Sequence, residues 1–81
     1  MIHDLKILPE FYLPVACGSK TFEYRINDRH FKVGDTVYLH KWWKNRYIPA
    51  PVLKLEITYV FLIPDSVYCI FSFDLLNGVY S

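Results

Sequence analysis

The feature that most constrains this chain is a run of strict alternation in its second half. From residue 53 to residue 61, large apolar side chains occupy every odd position, and lysine, glutamate, threonine and valine fill the even ones. Successive side chains of a β-strand point to opposite faces, so a period of two is typical of a strand with one apolar face. The pattern therefore predicts the longest strand of the chain here.

The rest of the chain divides into shorter segments bounded by turn residues. Further strands are predicted at His3–Leu8, Thr21–Ile26, Thr36–Trp43 and Val67–Leu75. Residues 9 to 17 favour a short helix, because Pro9 suits a first helical turn and Gly18 suits the left-handed residue that ends a helix. Pro14 is expected to kink this helix. Residues 44 to 51 contain two prolines and are predicted to be an exposed loop.

Length and composition limit the architecture. A chain of 81 residues, 53% hydrophobic and 19% aromatic, suits one strand-rich core and is too short for two. Residues 1 to 81 are therefore expected to form a single mainly β (α+β) domain of about five strands and one short helix. A small β-barrel or a strongly curled sheet is predicted, because closure removes unpaired strand edges.

The segment Thr21–Ile26 has two distinct faces. Thr21, Glu23 and Arg25 share one face, and three large apolar side chains share the other. The simplest interpretation is a half-buried strand with its apolar face in the core. Phe22, Tyr24 and Ile26 are therefore expected to be buried, and Glu23 is expected to be dispensable for folding.

Cysteine usage and hydropathy indicate the compartment. Cys17 and Cys69 lie far apart and form no motif, so a reducing, cytoplasmic environment is predicted, with both thiols buried. No apolar run approaches the roughly 20 residues that a membrane-spanning helix needs. Neither a signal peptide nor a membrane partner is expected.

Charge is distributed unevenly along the chain. Residues 20 to 46 carry seven of the nine lysines and arginines and three of the eight acidic residues, a net charge of +4 that leaves −3 for the remainder. Such asymmetry favours one positive face that steers a phosphate-bearing partner. Solvated strand ends and loops, where lysines are common, are the alternative.

The most informative motif lies between Gly18 and Asp35. It contains G-x-K-T-x-E-x-R at residues 18 to 25 and N-D-R-x-F-x-V-G-D at residues 27 to 35, after H-x-L-K-I-x-P-E at residues 3 to 10. This combination resembles the ASCH domains, relatives of the PUA RNA-binding fold, and is most similar to a small uncharacterised subgroup of them. The resemblance covers the first half of the chain densely and the second half only by its strand pattern. It implies a PUA-like β-barrel.

The resemblance also implies a ligand-binding cleft beside the helix. The residues expected to line it are Lys20, Glu23, Arg25, His3 and Lys6. RNA or a modified nucleoside or nucleotide is the implied ligand. One ASCH-like branch hydrolyses an acetylated cytidine with a lysine, a threonine and a distant glutamate. The lysine matches Lys20 but the threonine matches Glu23, so hydrolysis is not expected, and an ordinary salt-bridged strand is the structural alternative for this cluster.

A second group of residues has the composition of a surface that binds single-stranded nucleic acid, where aromatic rings stack on bases between cations. Its members are Arg29, Lys41, Trp42, Trp43, Lys44 and Arg46. Since neighbours in a strand face opposite ways, one tryptophan is expected in the core and the other outside. Exposed aromatic side chains also mark protein interfaces, so packing in a protein-interaction module or in a homo-oligomer is the alternative role for the exposed ring. No histidine or acidic pattern has metal-ligand spacing, so neither a metal nor a cofactor is predicted.

Overall fold

A computed structural model describes residues 1–77 of the chain. These residues form six strands and one helix: β1 (Ile2–Ile7), α1 (Pro9–Ala16), β2 (Phe22–Ile26), β3 (Thr36–Trp43), β4 (Arg46–Tyr47), β5 (Leu53–Leu62) and β6 (Tyr68–Leu75). The predicted mainly β fold with one short helix is confirmed. The extra strand, β4, lies within the segment predicted as a loop. Lys44 and Asn45 both have positive φ, at 49° and 62°, which a tight two-residue hairpin requires.

The strands form one sheet in the order β1-β3-β5-β6-β2, with β4 added to the end of β3. β1 and β3 are parallel, and the other neighbours are antiparallel. α1 covers the inner face of the sheet through Tyr12, Val15 and Ala16, which belong to the buried core. The strands contribute alternate residues to the same core. They are Leu5 and Ile7 of β1, Val37 and Leu39 of β3, Leu53, Leu55 and Ile57 of β5, and Cys69, Phe71 and Phe73 of β6.

The sheet stops short of the closure expected of a barrel. Its two edge strands, β1 and β2, border a common cleft, and no backbone ladder joins them within residues 1–77. A side chain lies between them instead. The Arg25 guanidinium on β2 donates through Nη2 to the Lys6 carbonyl oxygen on β1, at 2.7 Å. Arg25 therefore occupies a backbone acceptor that direct pairing of β1 with β2 would use. We call the gap between these two strands the β1–β2 seam.

The predicted faces of β2 are reversed in the structure. Glu23 is only 5% exposed, whereas Phe22 is 49% exposed, and Tyr24 and Ile26 also lie on the outer surface. The prediction that the three apolar residues form the core side was therefore wrong. The reason lies in the position of β2 at the open seam. There the inner face borders the open cleft, and the buried charge of Glu23 is stabilised by Arg25 from the same strand and by Lys20 just before it.

A β-bulge changes the faces of β5 midway. The register between β5 and β6 shifts between Ile57 and Tyr59, so Thr58 is an extra residue. Beyond the bulge Val60 packs against the core, and Tyr59 and Phe61 turn outward. The alternation of the first half of the strand therefore continues with its faces exchanged.

The two cysteines occupy different environments. Cys69 is fully buried on β6, and burial, together with the charge of Asp28, raises the pKa of its thiol. Cys17 follows the helix and is exposed, so the prediction that it is buried was wrong. A hydrogen bond with the Ser19 hydroxyl lowers the pKa of the Cys17 thiol. The left-handed Gly18, with φ of 84°, turns the chain outward at this point.

Candidate ligand-binding cleft

A cleft of about 930 Å³ opens along the β1–β2 seam. Asp4 to Leu8 form one wall, and Glu23 to Ile26 form the opposite wall. The rest of the lining comes from four other parts of the chain. These are Phe11 of the helix, Asp28, Arg29 and Phe31 of the segment after β2, His40 and Tyr47 of the β3–β4 hairpin, and Tyr68 of β6. Small-molecule sites commonly have volumes of about 300–1,000 Å³, so the cleft is large enough for a nucleotide.

Glu23 lies at the centre of an ion-pair cluster at the cleft. Its Oε1 accepts from Lys20 Nζ at 2.6 Å, and its Oε2 accepts from Arg25 Nε at 2.9 Å. Both carboxylate oxygens of a nearly buried residue are therefore paired with cations. Lys20 Nζ also donates to the Phe22 carbonyl oxygen at 2.8 Å. The sequence prediction that Lys20, Glu23 and Arg25 converge matches this geometry.

Arg25 is the group in this cluster that faces the cleft. Its Nε is held by Glu23 and its Nη2 by the Lys6 carbonyl oxygen. A guanidinium has five N–H donors, and within residues 1–77 no protein acceptor binds Nη1. The side chain is therefore fixed in orientation and keeps unused donors at the cleft. That arrangement suits the recognition of a phosphate or carboxylate.

The cleft walls are also aromatic. Tyr24 and Tyr68 stack with their ring centroids 5.0 Å apart and their planes at 10°. Phe11 from the helix and Tyr47 from the hairpin face the same space. Rings beside fixed cations favour a ligand that has both a flat apolar part and an anionic part.

Two of the predicted cleft residues do not line the cleft. The Lys20 ammonium group pairs with Glu23 and lies 5.4 Å from the Phe11 ring centroid and 5.1 Å from the Phe22 ring centroid, outside the cleft lining. His3 is buried, and its Nε2 donates to Asp35 Oδ2 at 2.8 Å. Lys6, the remaining predicted residue, lines the cleft together with Glu23 and Arg25.

The predicted nucleic-acid surface is divided between several environments. Arg29 lines the cleft, and no described residue pairs with it. The Lys41 ammonium lies 5.0 Å from the Tyr12 ring centroid on the helix. Trp43 is exposed, and Lys44 lies 5.9 Å from its ring at the tip of the hairpin, beside exposed Arg46.

Trp42 differs from the prediction that one tryptophan would be in the core. It is half-buried on the outer face of β3, where Lys6 Nζ lies 4.0 Å from its ring centroid. The Tyr47 ring meets it edge-on at 4.7 Å. Both neighbours cover the indole, so Trp43 offers the more accessible ring of the pair.

Several cleft residues were missed by sequence reasoning. Among them are Asp4, Phe11, Tyr24, His40, Tyr47 and Tyr68. His40 and Asp4 are joined by a 2.8 Å contact that depends on the parallel pairing of β1 with β3. No local motif signals a pairing between strands more than 30 positions apart in the sequence. The basic and aromatic composition around residue 42 was the one sequence pattern near these residues, and it predicted a surface on the neighbouring β3–β4 hairpin instead of the cleft.

A second buried carboxylate anchors the start of β1. Asp35 accepts from His3 Nε2 at 2.8 Å, from the Lys32 backbone N–H at 3.1 Å and from the terminal ammonium of Met1 at 3.3 Å. Burial acts to raise the pKa of Asp35, but these hydrogen bonds and the charge of the ammonium outweigh it and hold the pKa below its ordinary value. The ionised form of Asp35 therefore stabilises the fold.

We expect this anchor to weaken in acid. The pKa of Asp35 is lower in the folded state than in the unfolded state. Its contribution to the free energy of unfolding is therefore complete above the unfolded pKa and is lost as the pH falls through the folded pKa. Urea unfolding at intervals from neutral pH to pH 3 should show the Asp35→Asn variant less stable than wild type near pH 7, with the difference shrinking in acid. Two curves that stay parallel over this range would contradict the assignment.

Two kinds of site are absent from residues 1–77. No group of three or more histidine, cysteine, aspartate or glutamate side chains is placed to hold a metal ion. In the same part of the chain no helix is long and apolar enough to cross a membrane.

Comparison with known proteins gives a family but no activity. The model of a family described as a domain of unknown function, DUF3850, matches residues 2–73. An uncharacterized 12.9 kDa protein in the GpA 3′ region of Escherichia phage P2 is 39% identical over 41 residues, which cover 51% of this chain. The matched part spans 38% of the phage protein. Neither the family nor the phage protein is described with a ligand.

Proposed function

Since the chain belongs to the DUF3850 family of domains of unknown function, we propose its function from the cleft: it binds a nucleotide, either free or as one unit of a single-stranded RNA. The observation that carries this proposal is Arg25, which Glu23 and the Lys6 carbonyl hold in the seam with unused donors. A guanidinium fixed in this way loses little conformational entropy when it binds an oxyanion.

The aromatic lining supports a nucleotide over a simple anion. Tyr24, Tyr68, Phe11 and Tyr47 border the same space as Arg25 and Arg29. A base stacked on an aromatic ring contributes about 1–3 kcal/mol, while its phosphate can accept from the arginines. The resemblance to ASCH domains in the motif of residues 18 to 35 adds support and stays a prediction.

The hairpin β3–β4 extends this proposal to a strand of RNA. Tyr47 lines the cleft, and exposed Trp43, Lys44 and Arg46 lie on the same hairpin. If one nucleotide of an RNA strand occupies the cleft, the adjoining nucleotides can therefore contact the Trp43 ring and the Lys44 and Arg46 side chains. Their phosphate contacts make binding dependent on salt, with a slope of about −0.7 per contact on a single strand.

Hydrolysis is not proposed for this cleft. Glu23 stands where the hydrolytic ASCH-like relatives have a threonine, and both of its carboxylate oxygens are paired with cations. Incubation with acetylated cytidine distinguishes binding from turnover. A rate above the buffer blank that is lost in Lys20→Ala would replace binding by catalysis.

The test of binding is a titration with a nucleoside monophosphate and with a labelled single-stranded RNA, each at two salt concentrations. We expect Arg29→Ala to weaken both ligands by about tenfold, the effect of losing roughly 1.4 kcal/mol of phosphate interaction. Arg29 has no protein partner among the described residues, so the fold should not change. Arg25→Lys should weaken both ligands at least as much, because the ammonium cannot reproduce the fork of N–H donors.

The control variants separate the cleft from the hairpin. Lys54→Ala removes a cation that lies near Tyr38, away from the cleft, and should leave both affinities unchanged. Lys44→Glu should weaken the RNA and reduce its salt dependence while sparing the monophosphate. No saturable binding of either ligand at low salt, or affinities indifferent to Arg29→Ala and Arg25→Lys, would reject the proposal.

A further inference from the structure

The outer surface of β2, β6 and the second half of β5 is uncharged and aromatic. Its residues, here called the outer aromatic face, are Phe22, Tyr24, Ile26, Tyr59, Phe61, Tyr68, Ile70 and Ser72. Strand register places them in rows. Phe22, Ser72 and Tyr59 form one row, and Tyr24, Ile70 and Phe61 form the next. The bulge at Thr58 completes the face by turning two aromatic residues of β5 outward.

These side chains are substantially exposed to solvent. Phe22 is 49% exposed, Tyr59 62% and Phe61 48%. Aromatic side chains bury about 150–250 Å² each when fully covered, so the whole face offers roughly 600–700 Å² per molecule. A contiguous apolar patch of this size is at the upper limit for a monomeric protein and marks an interaction site.

The charge pattern limits what can cover this face. None of its eight residues is acidic or basic. The charges at its margin are the Lys20 ammonium, which lies 5.1 Å from the Phe22 ring centroid but is paired with Glu23, and Glu56 and Asp74 beyond the bulge. A nucleic acid would need cations here, and an acidic or basic protein would leave its own charges without partners. The partner must therefore present an equally uncharged surface.

The outer aromatic face meets that requirement with a copy of itself. In one row the small Ser72 lies between Phe22 and Tyr59, which leaves a depression flanked by rings. The Ser72 hydroxyl is already within 2.9 Å of the Thr58 hydroxyl, so this hydroxyl keeps a partner when the depression is covered. Two copies related by a two-fold axis can place rings of one copy over the depression of the other.

We propose that this chain forms a homodimer in which the two outer aromatic faces pack against each other. About 600–700 Å² per copy approaches the roughly 800 Å² per partner of stable protein interfaces. Packing of two twisted sheets face to face is the geometry of a β-sandwich, with the strand directions about 30° apart. The face shares one edge with the nucleotide cleft, because Tyr24, Ile26 and Tyr68 also line that cleft. Tyr59 and Phe61 do not line it, so substitutions at these two positions test the dimer without changing a cleft residue.

The test is sedimentation equilibrium of the wild-type chain and its variants. Protein concentrations from about 1 μM to about 300 μM are appropriate, because interfaces of this size span micromolar and tighter affinities. We expect wild type to approach twice its monomer mass with rising concentration. Phe61→Glu should remain monomeric throughout, because a dimer would bury two unpaired carboxylates.

A matched control and a second measurement keep the outcomes distinct. Leu13→Glu places the same charge at an exposed apolar position on the helix and should still dimerise. Circular dichroism melts establish that each variant is folded, and Phe61→Glu should bind the nucleoside monophosphate with the wild-type affinity. A wild-type chain that stays monomeric throughout, or dimers that persist in both Phe61→Glu and Tyr59→Glu, would overturn the proposal. Association of monomers with neutral lipid vesicles would assign the face to a membrane surface and also overturn it.

Discussion

Replacing Glu23 by alanine is expected to lower the free energy of unfolding by about 3 kcal/mol, the lower end of the cost of breaking a buried ion pair. The substitution removes the acceptor of two charge-assisted hydrogen bonds, from Lys20 and Arg25, and leaves two partly buried cations without their carboxylate partner. Domains have about 0.05–0.15 kcal/mol of stability per residue, so the loss is a large share of roughly 4–12 kcal/mol for this chain. Urea unfolding monitored by circular dichroism measures it.

Two control variants define the origin of that loss. Glu56→Ala makes the same substitution at an exposed position of β5 and should change stability by about 0.5 kcal/mol or less. Phe22→Ala removes a large ring from the neighbouring position of β2, but the ring is half exposed, and a loss near 1 kcal/mol is expected. If Phe22→Ala were the more damaging of the two β2 substitutions, the observed faces of β2 would be wrong.

The location of β2 was predictable, but its orientation was not. Alternation placed a strand at residues 21 to 26, within one residue of its observed bounds. Alternation defines two faces and does not say which one is inside. The usual assumption that the apolar face is buried failed because β2 borders an open cleft, and its apolar face belongs to the outer surface.

The convergence of the charged motif was predictable for a different reason. Glu23 and Arg25 are two positions apart on one strand, so they share a face whichever way the strand is turned. Lys20 lies just before the strand, within reach of Glu23. Contacts of this kind depend only on local geometry, and local geometry can be derived from the order of residues.

The cleft itself depends on contacts that local patterns do not encode. Its walls come from β1 and β2, and β1 is placed by its parallel pairing with β3 more than 30 positions later. The bulge at Thr58 carries no glycine or proline that would mark it in advance. For the same reason the outer aromatic face could not be anticipated, because Tyr59 and Phe61 join it only after the bulge exchanges the faces of β5.

Substitution of Phe71 is expected to cause the second large loss of stability. Its side chain is fully buried on β6, with its ring 4.9 Å from Phe31 and 6.4 Å from Phe73. Phe71→Ala is expected to cost about 4 kcal/mol, because it removes buried apolar surface and leaves a cavity that the surrounding strands cannot fill. That loss would leave a chain of this size at the margin of stability, visible as a much lower melting temperature.

The position of Phe71 links the core to the cleft, since Phe31 lines the cleft and rests on the Phe71 ring. Phe71→Leu should cost about 1–1.5 kcal/mol and leave a folded protein in which nucleotide binding can be measured. Phe61→Ala, at a half-exposed position of β5, is the matched control and should lower stability by only about 1 kcal/mol. Equal losses for Phe71→Ala and Phe61→Ala would mean that the core does not lie where β6 places it.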